Sequence, residues 1–288
     1  MLNSEIVHTL TRDDVTLAGA LFLPKTKTST NISALLFFHG DGGNFYNPLY
    51  IRMGEMLSEH GITFLSANRR GHDTISSTGN PEVKGGYAFE SVSHSPLDIG
   101  AWINFLKARG HQDIAIGGHS GGAVRATYTQ STTPFENVKA LIPVSPGEYY
   151  HAGIAKLHGK KFEESFSLAE FHIANGNPDH LMQPGIPWGS TWTATSFIDC
   201  FNRDDRYQVS QHALEIQIPT RFIFGELETT IGGPEELPVC GLARQTIEKH
   251  IGENHPQLSL SVIESANHGY AGKELSLYET IHSFIKSI

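Results

Sequence analysis

Residues 114 to 132 constrain this chain more than any other stretch. Ile114-Ala115-Ile116 is a short apolar run, Gly117-Gly118-His119-Ser120-Gly121-Gly122 is dense in glycine, and a helix is expected to follow to about Ser131. The segment reads as a strand, a sharp turn and a helix. Within it, Gly118-x-Ser120-x-Gly122 lets neighbouring backbone pass close to a serine held on a strained turn, which exposes the hydroxyl at the sheet edge. Gly121 N–H then stands at a helix N-terminus, where partial positive charge favours an oxyanion.

With 29 glycines in 288 residues, such a pattern also arises by chance, so its surroundings carry the argument. Other glycine-rich chemistries do not fit. Gly117 to Gly122 has phosphate-loop spacing but is followed by Ala123-Val124 rather than Lys and Ser/Thr, and no dinucleotide-binding fingerprint occurs.

The rest of the chain alternates strands and helices, which points to a mostly parallel sheet. Residues 4 to 10 and 15 to 23 read as an antiparallel pair around Arg12-Asp13-Asp14, and 32 to 38 as a strand covered on both faces, ending in His39-Gly40-Asp41-Gly42-Gly43-Asn44. A helix over 47–60, a strand over 62–67 and the polar turn Asn68-Arg69-Arg70-Gly71-His72-Asp73 follow, with Arg69 and Arg70 expected to tie down loops. Residues 74 to 91, rich in Ser, Gly and Thr, are expected to run over the surface. A helix over 96–108, the elbow formed by the strand, turn and helix around Ser120, and a strand over 138–144 complete a first part, 1–146.

Regularity breaks over 147–217, where aromatic residues and proline-containing turns predict an inserted helical lid. Its aromatics are expected mainly to pack the lid, with some lining an apolar pocket. His119, Tyr149, Trp188 and Trp192 are the candidates for substrate contact. The alternation resumes over 218–288 with strands at 221–224 and 258–263 and helices near 236–250 and over 274–288.

Composition narrows the partners. The formal charge of −9 offers no basic footprint for nucleic acid or an anionic membrane surface. The N-terminus has neither a basic region nor a long apolar run, and no apolar stretch approaches spanning length, so a cytoplasmic location without membrane contact is expected. Cys200 and Cys240 lack metal-ligand spacing and are expected to be free thiols. The 16 histidines form no His-Glu-x-x-His or His-x-His cluster, and neither a metal nor an organic cofactor is expected.

Taken in order, His39-Gly40-Asp41 after the third strand, Arg70-Gly71-His72-Asp73 after the fourth, Gly118-His119-Ser120-Gly121-Gly122 after the fifth and Asn267-His268-Gly269 after the last resemble the α/β-hydrolase superfamily. The stretch from Pro96-Leu97-Asp98-Ile99 to Ser120 is also similar to siderophore-ester-cleaving members. The resemblance implies an α/β-hydrolase fold, Ser120 as nucleophile, His268 as its base and an acid after the seventh strand. Glu228, in Gly225-x-x-Glu228, occupies that place, with Glu226 and Glu148 as alternatives. It also implies Asp41 N–H as a second oxyanion donor beside Gly121 N–H. Chemistry asks for the same types, since a serine hydroxyl needs a base and the imidazole needs a fixed tautomer.

The reading is a carboxylesterase-like serine hydrolase that forms an acyl-enzyme on a small-molecule ester. The same groups could act on an amide, lactone or carbon–carbon bond or transfer the acyl group to an alcohol. A non-catalytic ligand-binding module is the alternative from another class.

Overall fold

A computed structural model describes residues 4–26, 30–183, 191–253 and 255–288. The chain runs β1 (Ser4–Leu10), β2 (Thr16–Phe22), β3 (Ala34–Phe38), α1 (Pro48–Glu59), β4 (Thr63–Ala67), α2 (Ser95–Ala108), β5 (Ile114–His119), α3 (Gly121–Thr132) and β6 (Val138–Val144). Next come α4 (His151–His158), α5 (Lys160–Ala174), α6 (Ala194–Cys200), α7 (Val209–Leu214), β7 (Thr220–Gly225), α8 (Glu226–Thr229), α9 (Pro238–Gly252), β8 (Leu258–Ile263) and α10 (Glu274–Ser287).

One sheet joins all eight strands in the order β1-β2-β4-β3-β5-β6-β7-β8. β1 pairs antiparallel with β2 and β2 with β4, and every later pairing is parallel. The 62–67 strand begins one residue later than its apolar run suggests, and α1 before it starts with a cap: Asn47 accepts from Leu49 N–H and Pro48 occupies the first turn.

The period-2 alternation of strands sorts the core. Leu35 and Phe37 of β3 face α1 and α10, whereas Ala34, Leu36 and Phe38 face α2, where Ile99, Trp102 and Leu106 are buried. A sheet covered on both faces explains why β3, β4 and β5 are buried at every position.

Helices α4 to α7 lie between β6 and β7. The aromatics Phe162, Phe166, Trp192, Phe197 and Phe201 of this segment pack against one another in tilted and edge-to-face pairs. That cluster continues into Phe222 and Phe224 of β7 and Ala243 and Ile247 of α9, so the segment shares a core with the sheet.

Residues 74 to 91 depart from the surface excursion expected of them. Tyr87 and Ala88 are buried in a short 3-10 turn and Glu90 lies in the interior, because charged partners wait there. Among the described residues no helix is long and apolar enough to cross a membrane. Cys200 and Cys240 are unbridged and buried.

Candidate active site

Ser120 sits between β5 and α3 with φ 54° and ψ −122°, a backbone conformation that costs a non-glycine residue about 1–3 kcal/mol. The turn is held by Ser120 N–H on the Val144 carbonyl at 2.8 Å and by Ala123 N–H on the Ser120 carbonyl at 2.9 Å. Close packing explains its glycines. A Cβ on Gly118 would lie 2.5 Å from the Gly122 backbone, and one on Gly122 would lie 2.4 Å from the His39 carbonyl oxygen.

His268 lines the same cavity as Ser120, and its Nδ1 lies 2.5 Å from Glu228 Oε2. Glu228 is fully buried, and its other oxygen accepts from Ser145 Oγ and from Gly225 N–H, each at 2.6 Å. Burial by itself would raise this carboxyl. The bond and charge of His268, together with the Ser145 and Gly225 donors, outweigh it and hold Glu228 below the ordinary carboxylate value. Ser145 is in turn 2.7 Å from the Tyr270 hydroxyl.

The two other acids are engaged elsewhere. Glu226 accepts from Ser265 N–H at 2.8 Å, and Glu148 accepts from the Ser210 hydroxyl at 2.8 Å and amide at 3.2 Å. Burial pushes the Glu148 carboxyl up to about 7. Two other histidines near the C-terminal end lie in other contacts: His282 stacks on Tyr278, and His255 Nε2 lies 3.2 Å from the Leu214 carbonyl.

Asp41 is anchored by a buried charge cluster beneath the elbow. Its carboxylate pairs with Arg69 at 3.1 Å and Arg125 at 3.0 Å and accepts from the Tyr149 hydroxyl at 2.7 Å. Arg69 donates two bonds to Glu90, and Arg125 Nη2 lies 2.7 Å from Glu90 at an angle too oblique for a hydrogen bond. Two guanidinium groups thus meet two carboxylates. Burial alone would raise Asp41; Arg125, Arg69 and Tyr149 hold it below its ordinary value. Arg70 ties the neighbouring turn to Asp98 and Asp13.

A cavity of about 390 Å³ opens onto Ser120, His268, Asp41, Gly121, His119 and Tyr149. Gly121 N–H is a first-turn donor with no helical partner, and Asp41 N–H meets no acceptor among the described residues. His119 is engaged by Tyr50 and by the His268 carbonyl. Trp192 is fully buried against Tyr87, Phe197 and Phe201 and is absent from the cavity wall. Trp188 lies outside the described residues.

The apolar wall instead includes Leu237, Val239 and Cys240 at the start of α9, and Asn47 and Tyr50 at the start of α1 also line the cavity. Sequence reasoning missed these five. The only signal for them was their position in segments that follow strand ends, where a parallel sheet places its ligand contacts.

Among the described residues, Glu228, Cys240 and His268 are the group whose donor atoms lie close enough, within 4.8 Å, to share a metal ion. These donors are turned on one another and on the Ser145 carbonyl, 3.8 Å from the Cys240 sulfur.

The sequence matches no family model and no curated protein. In structure, the chain is similar to the α/β hydrolase GrgF from Penicillium sp. sh18, with a TM-score of 0.72 at 15% identity over 99% of this chain and 98% of that one. It is similar to Est1E from Butyrivibrio proteoclasticus, with a TM-score of 0.64 at 16% identity over 97% of each chain. An α/β serine hydrolase without a lid from Xanthomonas campestris matches with a TM-score of 0.57 at 14% identity, over 100% of this chain and 95% of that one. The chain therefore has the α/β-hydrolase fold.

Proposed function

We propose that this α/β-hydrolase-fold chain is a serine hydrolase that cleaves small-molecule carboxylic esters through an acyl-enzyme. The observation that carries the reading is the buried Glu228 carboxylate 2.5 Å from His268 Nδ1, on a histidine that shares one cavity with Ser120. With Nδ1 donating to Glu228, Nε2 is left as the basic nitrogen.

In this mechanism His268 Nε2 takes the Ser120 hydroxyl proton as the oxygen attacks the ester carbonyl. Asp41 N–H and Gly121 N–H receive the charge that forms on the carbonyl oxygen, each donor contributing about 3 kcal/mol of transition-state stabilisation. His268 returns the proton to the leaving alcohol, the acyl group stays on Ser120, and water activated by His268 releases it as the acid. Glu228 stabilises the imidazolium and keeps its orientation.

The cavity indicates an uncharged ester. Its volume of about 390 Å³ falls in the small-molecule range of about 300–1,000 Å³, among the described residues no Lys or Arg lines it, and Asp41 is already paired. Leu237, Val239 and Cys240 offer an apolar wall to the acyl or alcohol part. That Est1E has been seen with ferulic acid bound supports an acid of such size. The helical insertion over 147–217 is read as a lid, with Tyr149 at its root reaching the cavity.

Hydrolysis of nitrophenyl esters of increasing acyl length, by the wild type and Ser120→Ala, tests the reading. Turnover that depends on Ser120 and falls off beyond the length the cavity accommodates is expected. Turnover retained in Ser120→Ala, or absent from the wild type, contradicts it.

A further inference from the structure

Two side chains that the mechanism leaves idle join its three parts. Tyr50 comes from α1 and is 2% exposed, and His119 immediately precedes Ser120. Gly40 N–H donates to Tyr50 Oη at 3.3 Å, Tyr50 Oη lies 3.1 Å from His119 Nδ1, and His119 Nε2 lies 2.7 Å from the His268 carbonyl oxygen. The chemistry of these atoms fixes every proton. A carbonyl oxygen only accepts, so Nε2 carries the hydrogen; a neutral ring then has a bare Nδ1, so the Tyr50 hydroxyl donates to it. Tyr50 is left with lone pairs for Gly40 N–H.

We propose that Tyr50 and His119 are positioning residues, a one-way hydrogen-bond chain that sets the spacing between the loop bearing the Asp41 amide and the loop bearing His268. The proposal rests on the ester-hydrolysis reading above. The chain has a second consequence at its first link. Tyr50 holds the His39–Gly40 peptide through Gly40 N–H, and the next peptide, Gly40–Asp41, is held by its carbonyl, which accepts from His39 Nδ1, Gly43 N–H and Arg69, so neither plane is free to turn. Asp41 N–H is then the amide that the loop presents to the cavity.

Protonating His119 would replace the Nδ1 acceptor by a donor facing the Tyr50 hydroxyl, which breaks the chain. Burial, then the neighbouring His268, pushes His119 down to about 3, so the ring stays neutral across the pH range of ester hydrolysis.

Two readouts test the proposal. In nitrogen-15 histidine spectra of the whole protein, the His119 ring is expected as the neutral Nε2–H tautomer, unchanged between pH 5 and 8. In kinetics, Tyr50→Phe keeps the ring against Phe37 and removes only the hydroxyl; kcat is expected to fall about tenfold with KM within about twofold. His119→Gln keeps an amide donor for the His268 carbonyl and an acceptor for Tyr50, and is expected to retain about tenfold more kcat than His119→Leu.

An Nδ1–H tautomer, a titration of His119 near neutrality, or Tyr50→Phe at wild-type kcat in an enzyme whose turnover depends on Ser120 overturns the proposal alone. No Ser120-dependent turnover in the wild type overturns the hydrolytic reading and the positioning role with it.

Discussion

Replacing Glu228 by Gln separates hydrogen bonding from charge at the centre of the site. Three donors surround the two oxygens of Glu228: His268 Nδ1 on one, Ser145 Oγ and Gly225 N–H on the other. Glutamine has a single oxygen. If that oxygen stays with Ser145 and Gly225, its amino group faces His268 Nδ1 and selects the tautomer with the proton on Nε2, which cannot accept from Ser120. If it turns to His268, the amino group meets Gly225 N–H in a fully buried place and leaves that donor unpaired, at about 1–3 kcal/mol. The first arrangement keeps more of the existing bonds, so the wrong tautomer dominates. In a triad that error lowers kcat by about 10⁴, equivalent to about 5 kcal/mol of transition-state stabilisation. The assay is kcat on a nitrophenyl ester, with circular dichroism to show that the variant is folded. A folded Glu228→Gln protein within tenfold of the wild type would refute the reasoning.

Three other predictions follow from groups around the cavity. Glu148 has its folded pKa raised to about 7 against an ordinary 4.5, so its charge opposes folding fully above pH 7 and not at all below about 4.5. Glu148→Gln should accordingly stabilise the protein by about 3 kcal/mol at pH 8 and little at pH 4.5; equal shifts in Tm at the two pH values would count against the assignment. Arg125→Met strips one cation from the cluster and leaves Asp41 and Glu90 to Arg69 alone, so urea unfolding should show a loss of about 3–5 kcal/mol. Gly121→Ala places a Cβ 1.8 Å from Asp41 Oδ1 and must displace the carboxylate, the loop or the elbow; kcat should fall at least a hundredfold, by about the value of one oxyanion donor.

How much of this was legible depended on what each residue's neighbours reveal. Ser120 and His268 stand in small-residue turns directly after apolar strand runs, so sequence position and chemistry point to the same place. Glu228 is legible through its spacing from β7, since the carboxylate caps its own turn through Gly225 N–H. Tyr50 is not. It lies on a helical face that would be apolar in any buried helix, and its hydroxyl acquires a role only once α1 is laid beside β5.

Aromatics misled for the opposite reason. Trp192 has a large apolar surface that fits a pocket or a core equally well, and the insertion uses it as core. Glu90 lies in a Ser- and Gly-rich stretch with no apolar period, which reads as solvent-facing. Only the convergence of Arg69 and Arg125 from two other segments makes its burial tolerable. Contacts between segments distant in sequence leave no local pattern, whereas strand ends and turns do.

The most direct test of the account is covalent. The protein is treated with a fluorophosphonate, which reacts with an activated serine hydroxyl, and the intact mass and the modified peptide are then determined. One adduct per chain on Ser120, lost in Ser120→Ala and slowed when Glu228 is Gln, is the predicted result. An unmodified wild type, or an adduct on another residue, would contradict the claim that His268 and Glu228 activate Ser120.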